Sequence, residues 1–197
     1  MGATTAAGAK AAYLALLNNA VGTKFRIVVG YQGGNALHLA MERGEVHGDG
    51  GVAWSSLKST RPDWIREGKV VPLVQFGLKK DPDLPNVPLL LDLATSDEQR
   101  QMFEFISRPS VMQQPFAAPP GTPADRLAAL RRGFDAMTKD PEFRKEADRI
   151  DLGLDPVTGK DVQEIVRAIV ATPAQIVTKV QAATKVNEDS TSRDKAQ

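Results

Sequence analysis

Residues 25–43 read Phe25-Arg26-Ile27-Val28-Val29-Gly30-Tyr31-Gln32-Gly33-Gly34-Asn35-Ala36-Leu37-His38-Leu39-Ala40-Met41-Glu42-Arg43, and the fold turns on them. Phe25 to Val29 is a short β-branched run bounded by glycine, which predicts a buried strand. Gly30 to Gly34 follows as a loop. Asn35 stands where it can cap a helix through Arg43, with Ala36, Leu37, Leu39, Ala40 and Met41 free to pack. Strand, glycine loop and helix in that order are one step of an α/β layered sheet.

Working outward, the alanine- and leucine-rich run from Gly8 to about Asn19 predicts a helix, stopped near Asn18, Asn19 and Gly22. Gly44 to His47 predicts a short strand opening into the turn Gly48-Asp49-Gly50-Gly51. Trp54 to Arg61 predicts a helix and Pro62 to Arg66 a further turn of one. Val70 to Phe76 reads as a strand in which Pro72 requires an edge or irregular position. Asp81 to Pro88, with three prolines, is loop.

Ser96 caps a predicted helix from Asp97 to Ser107, and Val111 to Ala118 is a candidate strand. Pro119-Pro120-Gly121-Thr122-Pro123 is a rigid connection, with Thr122 as cap and Pro123 as first helical residue. The helix it starts carries Leu127, Leu130, Phe134 and Met137 as an amphipathic seam. Asp140-Pro141 begins a short helix to Arg149. Lys160 to Ala171 shows helical spacing, Thr172-Pro173 restarts the helix to about Lys185, and Asn187 onward reads as a frayed polar tail. The first half therefore reads as α/β and the second as mainly helical, with Pro119–Pro123 the best internal boundary.

Composition narrows the chemistry. The 197 residues carry 25 Lys+Arg against 24 Asp+Glu, so there is no global basic field for nucleic acid. Cysteine is absent, which removes thiol catalysis, disulfides and thiolate metal sites. With only His38 and His47, a multi-histidine metal site cannot be assembled within one chain. No G-x-S-x-G elbow and no phosphate-loop fingerprint occurs. No apolar run is long enough to span a bilayer. No cofactor is expected.

Three glycine- or small-residue turns precede helix starts: Gly2–Gly8, Gly30–Gly34 and Gly48–Gly51. Such turns let backbone N–H groups approach a ligand, and the helix start adds its positive dipole end. At the carboxyl ends of strands they suit a carboxylate or phosphate. They can equally be plain connections. Asp49, between two glycines, is expected to be exposed and able to accept hydrogen bonds, or to be a turn aspartate bonding its own backbone. Tyr31 is a candidate ligand contact or a packed rim residue, and Trp54 a wall or a core residue. His47 reads more as structural than as a base, and His38 still less as catalytic.

The order of these pieces resembles the extracytoplasmic solute receptors of the tripartite tricarboxylate transporters, which are periplasmic binding proteins. The resemblance rests on Val28-Val29-Gly30-Tyr31-Gln32-Gly33-Gly34, on Leu39-Ala40-Met41-Glu42-Arg43-Gly44-Glu45-Val46-His47, and on Leu84-Pro85-Asn86-Val87-Pro88. Ala118-Pro119-Pro120-Gly121-Thr122-Pro123 and Asp140-Pro141-Glu142-Phe143 complete it. Family members often carry aspartate where His47 stands, and a serine- or threonine-rich loop where Gly2–Gly8 stands.

The resemblance implies the two-domain, type II (Venus-flytrap) architecture. Residues 1–115 would form the complete second, ligand-jaw α/β domain, and 116–185 the returning, mainly helical part of the first. Residues 186–197 would be a disordered tail. Met1 to Thr5 do not read as an export signal, and the family's first-domain segment is not recognised, so a truncated receptor is expected. The implied function is binding, without catalysis, of a small organic carboxylate in the periplasm, for delivery to membrane permease subunits. Thr4, Thr5, Ala6, Tyr31, Gly33, Gly34 and Asp49 would contact the ligand. The family is monomeric; a truncated form would expose a face open to dimerisation. The alternatives are a small α/β enzyme on an acidic metabolite, with Asp49 or His47 as general base, and a remnant that binds nothing.

Overall fold

In a computed structural model, which describes residues 1–112, 114–150 and 152–186, three parallel threads meet at Gly2. Strand β1 (Gly2–Ala3) pairs with β2 (Val28–Val29) on one side. On its other side Gly2 forms a single parallel bridge with Asp49, donating to the Gly48 carbonyl at 2.7 Å and accepting from the Gly50 amide at 3.0 Å. The order across this small sheet is β2, β1, Asp49.

The chain joins these threads through helices on opposite faces. Helix α1 (Ala9–Leu16) connects β1 to β2, and α2 (Gly34–Glu42) connects β2 to Asp49. Ala3, Ile27 and Val29 pack on Ala11, Leu14 and Ala15 of α1. Val28, which points the other way along the same strand, packs with Leu37 and Ala40 of α2 and with Val46. That period-two division of Ile27, Val28 and Val29 is what a strand packed on both faces requires, with Ile27 fully buried and Val28 and Val29 half-buried. Burying Leu14, Ile27 and Leu37 contributes about 1.5–3 kcal/mol each at most. Beyond α1 the chain continues as a π-helical turn, Leu17–Val21, closed by Gly22 in the left-handed region.

Contacts divide the chain into two compact units. The first comprises Met1–Leu57, Leu91–Phe103 and the segment from Pro173. It contains α9 (Ala174–Ala183), which packs on α1, and the Asn19 side chain donates to the Ala183 carbonyl at 2.9 Å. Lys179 pairs with Glu98, and the Gln99 side-chain amide donates to the Ala20 carbonyl.

The second unit comprises Lys58–Leu90 and Glu104–Thr172. Here the Gln75 side chain organises the proline loop, donating to the Leu84 and Val87 carbonyls at 2.8 and 2.9 Å and accepting from the Asp81 amide. Helix α4 (Pro62–Arg66) carries buried Trp64, with the Arg61 guanidinium over its ring. Helices α6 (Ala124–Met137) and α8 (Gly159–Val170) are linked by an Arg131–Gln163 hydrogen bond of 3.0 Å. Helix α7 (Pro141–Arg149) begins on the Asp140 carboxylate, which accepts from the Glu142 and Phe143 amides. Helix α3 (Trp54–Thr60) and helix α5 (Asp97–Ser107) have the predicted extents to within one residue.

The fold is mostly helical with few strands, compatible with α/β layering. Several expected strands are shorter than the sequence suggests. The run Phe25–Val29 pairs regularly only at Val28 and Val29, because the Asn18 side chain takes both the Phe25 amide (2.7 Å) and carbonyl (2.8 Å). The strand expected at Gly44–His47 reduces to the bridge at Asp49, since the Glu45 amide closes the end of α2 on the Ala40 carbonyl. Val70–Phe76 keeps one bridge, Gln75 with Leu89. Val111 instead ends a 3-10 turn, Arg108–Val111, with the Met112 amide donating to the Pro109 carbonyl, and no strand forms in the described part of 112–118.

Three expected caps are also corrected. Helix α2 starts on Gly33, and Asn35 lies inside it. Pro123 and Pro173 are themselves the N-cap residues of α6 and α9. The Thr122 hydroxyl bonds Pro119 and the Thr172 hydroxyl bonds Ala168 instead. The seam of α6 is covered in part: Leu127 and Phe134 are half-buried, whereas Leu130 and Met137 are exposed. The polar tail from Asn187 lies outside the described residues.

Candidate functional site

The three parallel threads all end at the same edge of the sheet, and each is followed by a loop and a helix start. After β1 come Thr4 to Gly8 and α1; after β2 come Gly30 to Gly33 and α2; after Asp49 come Gly50 to Ala53 and α3. The first two loops are tied directly, the Gly30 amide donating to the Thr4 carbonyl at 3.1 Å. Thr5, Ala6, Gly33 and Gly34 are exposed, and Thr4 and Tyr31 are half-buried beside them. Six of the seven residues named from the sequence therefore line one edge with surface available.

Glycine serves different ends in these loops. Gly33 has φ +89° and ψ 178°, a combination reserved for glycine, and a Cβ there would meet nothing within 4 Å. Gly30, at φ +115°, is equally unobstructed. These two shape an open loop. Gly50 is the opposite case: a Cβ would lie 2.6 Å from the Lys10 carbonyl and 2.9 Å from Leu14. Gly2 and Gly48 are likewise crowded, by Leu37 and Met1. The Gly48–Gly51 turn is thus glycine-rich for close packing, Gly50 and Gly51 against α1 and Gly48 against Met1.

Asp49 is the seventh residue, and its side chain corrects the expectation of an exposed carboxylate. Only 6% of the side chain is accessible. Oδ1 accepts from Lys10 Nζ at 2.6 Å and from the Gly51 amide at 2.8 Å, and Oδ2 accepts from Lys10 Nζ at 2.5 Å. His38 Nε2 lies 3.5 Å from Oδ2, itself equally buried. Asp49 therefore bonds its own turn, as one sequence reading had it, and also anchors a polar cluster. His47 is exposed, and the strand expected to carry it is not formed. The histidine that meets Asp49 is His38, the one judged less able to act.

Lys10 and His38 were missed as site residues, yet each leaves a trace in the sequence. Lys10 is the only charged residue in a helix otherwise of small and apolar residues and tyrosine. It stands in the first turn, where the helix dipole disfavours a cation. A buried carboxylate partner offsets that cost. His38 is the one ionisable side chain between Ala36 and Met41, and its burial on α2 aims it at the same anion.

Tyr31 packs against the Leu37, Ala40 and Val46 cluster. Burial, and then the Glu45 charge nearby, raise its phenol pKa, so it is a neutral hydrogen-bond donor at ordinary pH. Trp54 is half-buried at the start of α3. Among the described residues no group of three or more potential ligands is placed to hold a metal ion, and no helix is long and apolar enough to cross a membrane. No family model, curated protein or solved structure matches the chain.

Proposed function

We propose that the chain binds a small organic carboxylate as a non-catalytic solute receptor of the kind that feeds a tripartite tricarboxylate transporter in the periplasm. The observation that carries this reading is the Gly30–Thr4 hydrogen bond, which unites two open loops, each leading into a helix start, at the carboxyl edge of parallel threads. The open loop backbone leading into those helix starts suits a carboxylate, with the Thr4 and Thr5 hydroxyls and the neutral Tyr31 phenol as donors. Thr4, Thr5, Ala6, Tyr31, Gly33 and Gly34 form the ligand-facing set, with Asp49 bracing it from beneath. Type II closure with a second domain, and delivery to membrane permease subunits, belong to the same reading.

The test is calorimetric titration and thermal melting with acetate, succinate and citrate. A saturable heat and a rise in Tm with at least one of them is expected, growing with ligand concentration as mass action requires. No heat and no shift across the panel at millimolar concentration would defeat the reading. Turnover of any of these acids would replace it with an enzyme.

A further inference from the structure

We infer that Lys10, and not Asp49, is the charged side chain that meets the bound anion, with Asp49 as its positioning residue. This rests on the carboxylate reading above and assigns a contact within that site.

Topology locates the contact first. The thread order is β2, β1, Asp49, and α1 and α2 cover opposite faces, so the winding reverses between β1 and Asp49. In open α/β sheets ligands bind outside the carboxyl ends of the strands at that reversal. The side chains that bridge the reversal are Lys10, from the helix after β1, and Asp49 itself.

Accessibility and donor arithmetic then separate the pair. Asp49 and His38 are sealed at 6% side-chain exposure, whereas Lys10 keeps 21%. Lys10 is thus the member of the cluster that reaches solvent. An ammonium has three N–H donors. Lys10 directs two at Asp49 and, among the described residues, has no other hydrogen-bond partner. The third donor is available to a ligand oxygen. Asp49 cannot serve the same anion, because its charge repels it and its oxygens already accept from Lys10 and the Gly51 amide. What Asp49 does is hold the ammonium in one place before the ligand arrives, so that little side-chain freedom is lost on binding.

The experiment measures citrate and succinate affinity by calorimetry for the wild type, Asp49→Asn, and the double variant Lys10→Met/Asp49→Asn. The double variant leaves no unpaired buried charge, so it is the fair test of Lys10. Asp49→Asn is expected to bind more weakly than wild type, because the ammonium is no longer held in place, and the double variant about tenfold more weakly than Asp49→Asn, the usual worth of a charge-assisted hydrogen bond. In wild-type protein the Lys10 Nζ resonance should shift on titration with citrate. Equal affinity of the double variant and Asp49→Asn, or an unmoved Lys10 resonance in protein that binds citrate, overturns this inference and leaves the receptor reading standing. A wild type that binds neither acid overturns both.

Discussion

The Gly30 amide donates to the Thr4 carbonyl at 3.1 Å, and through that one bond the loop leaving β2 is held against the loop leaving β1. Everything exposed at the candidate site hangs from this junction. Gly33, three residues on, is the N-cap of α2 and needs a backbone conformation closed to other residues.

Gly33→Ala is therefore expected to cost about 1–3 kcal/mol from backbone strain alone, since no atom lies within 4 Å of the new Cβ. Gly33→Asn should cost as much, because its ψ of 178° lies outside the left-handed helical region that asparagine tolerates. Gly34→Ala should instead stabilise by about 0.4–1 kcal/mol, being helical and unobstructed. Urea unfolding of the three variants checks the contrast; a harmless Gly33→Ala would refute the assigned loop geometry.

Gly50→Ala probes packing. The new methyl would press on the Lys10 carbonyl and Leu14, an overpacking cost of about 1–3 kcal/mol. At this chain length each kcal/mol corresponds to roughly 2–4 °C in Tm. A melting temperature equal to wild type would mean that α1 does not approach the turn this closely.

Lys10 and Asp49 should show strong coupling in stability. Lys10→Met leaves a carboxylate buried without its cation and is expected to cost about 3 kcal/mol, the low end for such a loss because Lys10 keeps some solvent contact. Adding Asp49→Asn should recover most of it. A double-mutant cycle by denaturant unfolding gives the coupling directly, and additive losses would speak against the pair.

Tyr13 supplies a pH test. Burial raises its phenol pKa above the ordinary 10.0, so the folded state holds the proton more tightly than the unfolded chain. Its contribution is fully present below pH 10 and is lost as pH rises through the folded pKa. Tyr13→Phe should flatten the fall in stability above pH 10 relative to wild type, followed by unfolding at stepped pH. Parallel curves for the two proteins would show that the ring is not buried as described.

Local chemistry carried the helices. Asp140-Pro141 announced α7 because a carboxylate cap and a preset φ act within three residues, and Ser96 likewise accepts from Gln99 at the head of α5. The strands were less legible because competition decided them. The Asn18 amide takes the Phe25 backbone groups that a strand pairing would otherwise use, seven residues away. At the site, Asp49 was visible among its glycines, but the direction of its carboxylate was not. Its partner Lys10 is 39 residues distant in sequence, and no periodicity or spacing encodes a pair of that range. His38 stands among apolar neighbours, which argue against a polar role, yet it is buried with its Nε2 3.5 Å from Asp49 Oδ2.

The contact of α9 with α1 bears on how the chain comes to be folded at all. Asn19 reaches a carbonyl 164 residues later, so the side of α1 that meets α9 stays uncovered until residues 174–183 have been made. A contact of that separation closes a long loop, and such closure slows folding. During synthesis that side of α1 is a surface for chaperones to shield, and the first unit cannot close before α9 has emerged.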